Sequence, residues 1–122
     1  MAIKLNKEKA RILRHKKIRK KVRGTAESPR LSVFKSEKHI YAQLINDDLG
    51  KTLVSFSTLK PGFKEKMKKG STIESAKLVG ELIAEEAKKL NIEKVRFDRG
   101  GFPFHGRIKA LAEGVKEKGL KI

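Results

Sequence analysis

From Pro29 onward, apolar and polar residues alternate along the chain with the period-two pattern of strands that cover one face. Arg30-Leu-Ser-Val-Phe-Lys-Ser36 reads as a strand, Glu37-Lys38 as a tight turn and His39-Ile-Tyr-Ala-Gln-Leu-Ile45 as the hairpin partner. Pairing Ser36 with His39 sets the register: Val33 lies opposite Ala42 and Leu31 opposite Leu44, with Ile40 on the same side. That side is aliphatic and suits a core beneath helices. The other side carries Ser32, Phe34, Ser36, His39, Tyr41 and Gln43 and is aromatic and polar. It suits either a stacking platform for nucleic acid or an ordinary cross-strand aromatic pair under a loop or the N-terminal segment. The turn Asn46-Asp-Asp-Leu-Gly50 leads to a third strand near Lys51 to Thr58, for which several loop lengths, and so several registers, fit.

The period then changes. Lys60-Pro-Gly62 breaks the sheet, and Phe63 and Met67, one turn apart, predict a helical turn or two ending at Gly70. Ser71-Thr-Ile-Glu74 has the form of a capping box with Ser71 as the cap. It opens the strongest helix, in which Ile73, Ala76, Val79, Ile83, Ala87 and Leu90 share a face while Glu81, Glu85 and Lys88 lie outside. Lys94-Val-Arg-Phe-Asp98 predicts a short strand. After a loop, a second amphipathic helix carries Ile108, Leu111, Ala112 and Val115 and stops at Gly119. A strand, a long helix and another strand make a right-handed crossover, so the last strand should run parallel to a neighbour. The expected fold class is α/β: a mixed sheet in the order βββαβα, with three antiparallel strands, a helix crossover, a parallel strand and a final helix. This is the ribonuclease-H-like topology of translational machinery, preceded by a basic N-terminal arm.

Charge accounts for what the pattern leaves unexplained. Between Met1 and Arg23 there are 11 basic residues and one acid, Glu8, and the apolar residues make no clean stripe, although Ile18 and Val22 are one turn apart. More than half of the net charge of +17 lies there. Like charges repel along such a segment, and it has too little apolar area to offset ordering at about 1 to 2 kcal/mol per residue. Residues 1–28 are therefore expected to be an arm, disordered in the free protein and helical on RNA, where lysines and arginines release condensed counterions. Residues 29–122 are expected to be a mixed α/β RNA-binding domain; a chain of 122 residues is long enough for one such core. A merely solubilising tail seldom needs 11 cations, and an anionic membrane surface would call for an apolar face, which does not accompany the charge. No stretch nears the ~18 apolar residues that cross a bilayer, so the chain reads as cytoplasmic with no membrane partner.

Chemistry is sparse. Zero cysteines exclude a disulfide framework and any thiolate metal site. His15, His39 and His105 have no metal-ligand spacing, so no metal and no cofactor is expected. A ribonuclease-H-like nuclease needs several carboxylates on two metals, yet Asp47 and Asp48 sit in a turn, Asp98 at a strand end, and the first strand carries no acid. Asp98 is expected to pair with an arginine or cap its loop. Arg99-Gly100-Gly101, after a strand and before a helix, suits an anion bound by backbone N–H groups, with Arg99, His105 and Arg107 around it. Phe102 and Phe104 would stack on bases or anchor that loop. A nucleoid-type DNA-binding protein shares the charge but prefers duplex DNA and dimerises.

Four stretches together carry a resemblance: Lys20-Lys-Val-Arg-Gly-Thr-Ala-Glu27, Pro29-Arg-Leu-Ser-Val-Phe34, Lys38-His-Ile-Tyr-Ala-Gln43, and Phe97-Asp-Arg-Gly-Gly101 with His105-Gly-Arg-Ile-Lys-Ala-Leu111. In this order, from about Lys9 to Ile122, the chain resembles the bacterial large-subunit ribosomal protein eighteen family. The resemblance implies a non-enzymatic structural protein that binds 5S rRNA and helps attach it to 23S rRNA in the central protuberance. It implies neighbouring large-subunit ribosomal proteins as further partners, and a monomer when free. Carried over by position, it implies RNA contacts from Arg11, Arg14, His15, Lys16, Lys17, Arg19, Lys20, Lys21 and Arg23 of the arm. From the hairpin it implies Arg30, Ser32, Phe34, Lys35, Ser36, His39, Tyr41 and Gln43, and from the loop Arg99, Gly100, Gly101, Phe102, His105 and Arg107. Where relatives carry Tyr in that loop this chain has Phe102 and Phe104, which keep stacking but lose a hydroxyl hydrogen bond.

Overall fold

The alternating segments form strands β1 (Arg30–Lys35), β2 (Ile40–Asn46) and β3 (Lys51–Ser57) in the computed structural model, which describes residues 7–59 and 72–122. β1 and β2 pair antiparallel in the expected register, Val33 opposite Ala42 and Leu31 opposite Leu44. Ser36 locks the turn: its N–H donates to His39 O at 2.9 Å, and its hydroxyl oxygen accepts from the His39 N–H at 3.2 Å. The third strand, left open by the sequence, sets Tyr41 opposite Ser57 and Leu44 opposite Val54, then slips between Leu44 and Ile45. A bulge of this kind adds a residue to one strand, so counting along the loop yields no single register.

Helix α2 (Ile73–Lys89) crosses back to strand β4 (Arg96–Asp98), which lies parallel to β1 and gives the sheet order β3-β2-β1-β4; helix α3 (Gly106–Glu117) follows. The mixed sheet and element order agree with expectation. Leu31, Val33, Ile40, Ala42 and Leu44 meet Ala76, Val79, Ile83 and Ala87 of α2 and Ile108, Leu111 and Val115 of α3 in one core. Ile73 and Leu90, expected on the buried stripe, are 55% and 52% exposed. They sit at the two ends of α2, outside the stretch from Ala76 to Ala87 that packs into the core. The α2 cap is Thr72, whose hydroxyl oxygen accepts from the Ser75 N–H at 3.1 Å. Ser71, the expected cap, lies outside the described residues, as do the Lys60-Pro-Gly62 break and the turn at Phe63 and Met67. Gly119 stops α3 as expected, with φ +87° and its N–H on Lys116 O at 2.9 Å.

In the basic segment, Lys7–Lys21 forms a helix, α1, none of whose residues is buried. Contacts that the charge pattern did not reveal hold it against the domain.

Candidate nucleic-acid interface

Where β1 and β4 lie side by side, Arg30 and Asp98 come together. Asp98 is fully buried and Arg30 is 5% exposed. Arg30 Nη1 donates to Asp98 Oδ2 at 2.8 Å, while its Nε and Nη2 grip Asp47 Oδ2 and Oδ1 at 3.0 and 3.1 Å. That two-pronged geometry suits a planar guanidinium. Burial acts to raise the Asp98 pKa, but hydrogen bonds from His15, the Gly100 N–H and Arg30 outweigh it, and the carboxyl lies below its ordinary value. Asp47 is lowered chiefly by Arg30. Burial acts against the Arg30 charge, yet the two aspartates prevail and raise its pKa. Arg30, expected to contact RNA, is thus the internal counter-ion of two carboxylates. The signal was its position in a strand whose face alternates: the start of β1 is buried on both sides.

The same carboxylates hold the arm. His15 Nε2 lies 2.9 Å from Asp98 Oδ2; an ionised carboxylate only accepts, so Nε2 carries the proton. Arg11 Nη1 donates to Gly100 O at 2.9 Å and Arg14 Nε to Gly101 O at 2.8 Å. Arg19 reaches Asp47 at 3.5 Å. Gly101 has φ +81°, and a Cβ there would collide with the Arg11 carbonyl of α1. The glycine therefore lets the arm approach. At the loop, the anion is the chain's own: the Gly100 N–H donates to Asp98 Oδ1 at 2.9 Å, and the Phe102 N–H to Arg99 O at 3.1 Å. Gly100 and Gly101 consequently serve arm docking, where phosphate contact was expected. His15 faces Asp98 for the same reason.

On the sheet face away from the core, Ser32, Phe34, Tyr41 and Gln43 line an open hollow of about 310 Å³. Phe34 and Tyr41 rings are 5.9 Å apart. Phe34 meets Phe102 edge-on at 5.7 Å. The Arg11 guanidinium lies 5.3 Å from the Phe34 centroid and 4.8 Å from that of Phe102, and Lys35 Nζ lies 5.5 Å from Phe102. Phe34 is 45% exposed and Phe102 only 9%. Phe102 therefore anchors the loop under Arg11, and Phe34 with Tyr41 presents open ring surface. Phe104 is exposed and packs edge-on with Phe97 at 6.0 Å.

Other expected contacts divide the same way. Lys16, Lys17, Lys20 and Lys21 are exposed on α1. Arg23 pairs with Asp48 at the surface at 2.9 Å. Ser36 serves the hairpin turn, and His39 Nδ1 lies 2.8 Å from the hydroxyl of buried Thr58. His105 is exposed just before α3, and Arg107 keeps a buried Nη1 with no hydrogen-bond partner among the described residues. Asp47 and Thr58 are the residues the sequence reading missed. Their partners lie 17 and 19 positions away, so no local pattern shows them.

Fold and site together define a class: a mixed α/β protein in which a buried and a half-buried aspartate hold its own arginine and exposed cations cluster on one helix beside an aromatic sheet face. Among the described residues no three His, Asp or Glu side chains gather as a metal site, and none of the helices is long and apolar enough to cross a membrane. A family model for ribosomal L18 of archaea, bacteria, mitochondria and chloroplasts matches residues 5–122. The large ribosomal subunit protein uL18 of Caldicellulosiruptor saccharolyticus is 54% identical over 118 residues, covering 97% of this chain and 95% of the relative. Those of Thermotoga neapolitana and Pseudothermotoga lettingae are 55% and 59% identical, covering 99% and 91% of both chains. The chain belongs to this family of large-subunit ribosomal proteins, which are structural components of the ribosome and not enzymes. Its place of work is the ribosome in the cytoplasm, among ribosomal RNA and other ribosomal proteins.

Proposed function

We propose that this protein binds 5S rRNA and helps attach it to 23S rRNA in the central protuberance, with neighbouring large-subunit proteins alongside. Residues 1–28 act as the arm and 29–122 as the domain, the free protein being a monomer. One observation carries this reading: α1, whose lysines are exposed, sets its Arg11 guanidinium 5.3 Å from the Phe34 centroid, and Phe34 in turn lies 5.9 Å from the Tyr41 ring on the open sheet face. Cations supply affinity through phosphates, and aromatic rings favour unstacked bases, which folded RNA offers in loops and bulges. Because α1 buries no side chain, its docked state is marginal by itself, and RNA supplies the counter-charge that consolidates it.

A mobility-shift experiment with 5S rRNA against a size-matched unrelated RNA tests this. Preference for 5S rRNA is expected, with affinity falling about a thousandfold between 50 and 200 mM salt if ~6 phosphates are neutralised. Equal affinity for both RNAs overturns the reading. The double variant Phe34→Ala with Tyr41→Ala should lower the preference more than it lowers binding to unrelated RNA.

A further inference from the structure

The two edges of the sheet end differently. Beside β4 the chain supplies its own cover: Lys121 bridges to Lys94 in parallel, the Val95 N–H donates to Lys121 O at 2.8 Å, and the Lys121 N–H donates to Glu93 O at 3.1 Å. β3 is the opposite edge, and among the described residues no strand lies on its outer side. The Thr58 N–H donates to Ile40 O at 3.2 Å, which sets the alternation of the ladder. Val54 and Phe56, opposite Leu44 and Ala42, therefore turn their N–H and C=O groups toward β2, and those of Ser55 and Ser57 point outward.

Proteins blunt an open edge with lysine, proline or a bulge. The bulge of β3 falls at Leu53, and from Val54 to Ser57 the pairing is regular and the strand carries no charge and no proline. An open hollow of about 410 Å³ follows this stretch. Leu53, Val54, Ser55 and Phe56 line it from β3. Consecutive strand residues belong to opposite faces, so a hollow touching all four lies along the edge and not on one face. Glu86, Lys89 and Leu90, at the end of α2, form its other wall. Leu53, Val54 and Phe56 are only partly buried, and Leu90 is 52% exposed.

Charge selects the occupant. In a chain of net charge +17, the ionic groups lining this hollow are Glu86 and Lys89, which pair with each other at 3.1 Å. A phosphodiester gains its affinity from cations it can neutralise, and this hollow is neutral. An uncharged peptide in extended form gains backbone hydrogen bonds from Ser55 and Ser57 and apolar contact beneath them. We propose that the β3 edge is a protein-docking site, which takes an extended, uncharged segment of another large-subunit protein as a fifth strand with apolar side chains against Leu53, Phe56 and Leu90. The proposal rests on the neighbouring proteins of the reading above and not on its 5S rRNA.

The test uses large subunits assembled with this chain. Amide exchange at Ser55 and Ser57 should be fast in the free chain and slow by about tenfold or more in the subunit; equal rates overturn the proposal. A benzophenone side chain at position 90, in place of Leu90, names the occupant. It should link to a ribosomal protein through an extended segment, and a link to rRNA alone, to a second copy of this chain, or to nothing overturns the proposal. Ser55→Pro removes an outward N–H and leaves the β2 ladder whole. It should keep the urea midpoint and the 5S rRNA affinity of the free chain while cutting the yield of that link by about tenfold. Should the proline lower the midpoint, Leu53→Asp, on the wall of the hollow, takes its place with the same expected loss. An undiminished link in the folded variant overturns the proposal. Wild-type chain that ignores 5S rRNA yet forms the protein link overturns the 5S reading and keeps this one.

Discussion

Helix α1 runs for 15 residues and buries none of them; α2 runs for 17 and buries seven. α2 is attached through Ala76, Val79, Ile83 and Ala87, whose burial releases water from apolar area and responds little to salt or pH. α1 is attached through Arg11, Arg14, His15 and Arg19, each on a carbonyl or a carboxylate. Hydrogen bonds of this sort contribute about 1 kcal/mol each, somewhat more to a charged group. The contrast teaches that the element with the densest positive charge is also the one whose attachment can yield. A polyanion competing for those cations meets directional contacts and no core.

The sharpest way to break the contrast is to remove the group that serves both regions. Arg30→Ala leaves Asp98 and Asp47 without their guanidinium, and stability should fall by about 3 to 5 kcal/mol, read from the urea midpoint. A loss under about 1 kcal/mol would mean the network is not needed for the fold. Next comes Ile83→Ala, expected to cost about 2 to 5 kcal/mol in the same measurement while leaving the α1 contacts in place.

Acid sharpens the comparison further. Asp98 and Asp47 have folded pKa values below their unfolded ones. Their stabilisation is therefore full above about pH 5 and is lost as pH falls through the depressed folded values. Urea midpoints from pH 5 down to pH 3 should drop, and Asp98→Asn should shrink the drop. Smallest in global stability is Arg11→Ala with His15→Ala, expected to cost only about 1 to 2 kcal/mol. Amide exchange should nevertheless speed up from Lys7 to Lys21 with that pair, while α2 stays protected. Slow exchange throughout α1 would show that other contacts hold it.

Legibility followed range. The hairpin was readable because alternation and a two-residue turn leave one register that keeps Leu31, Val33, Ala42 and Leu44 together. The β2–β3 register was not, since a bulge is decided by how strands twist and pack. Cation density named the partner class, but not which cations are spent inside the protein. Arg30 and His15 look like any other basic residues until folding brings Asp98 to them across 68 and 83 positions.

By itself, then, the chain's pattern determined the strands, the two amphipathic helices, the parallel last strand and a cationic segment suited to RNA, all of which depend on periodicity, turn chemistry and net charge. Tertiary structure decided which charges face inward. A carboxylate withdrawn from water must be matched by whichever donors the fold delivers, and those donors come from elements far apart in sequence, so Asp47 and Asp98 claim Arg30, His15 and Arg19 and leave Lys16, Lys17, Lys20 and Lys21 of α1 to solvent.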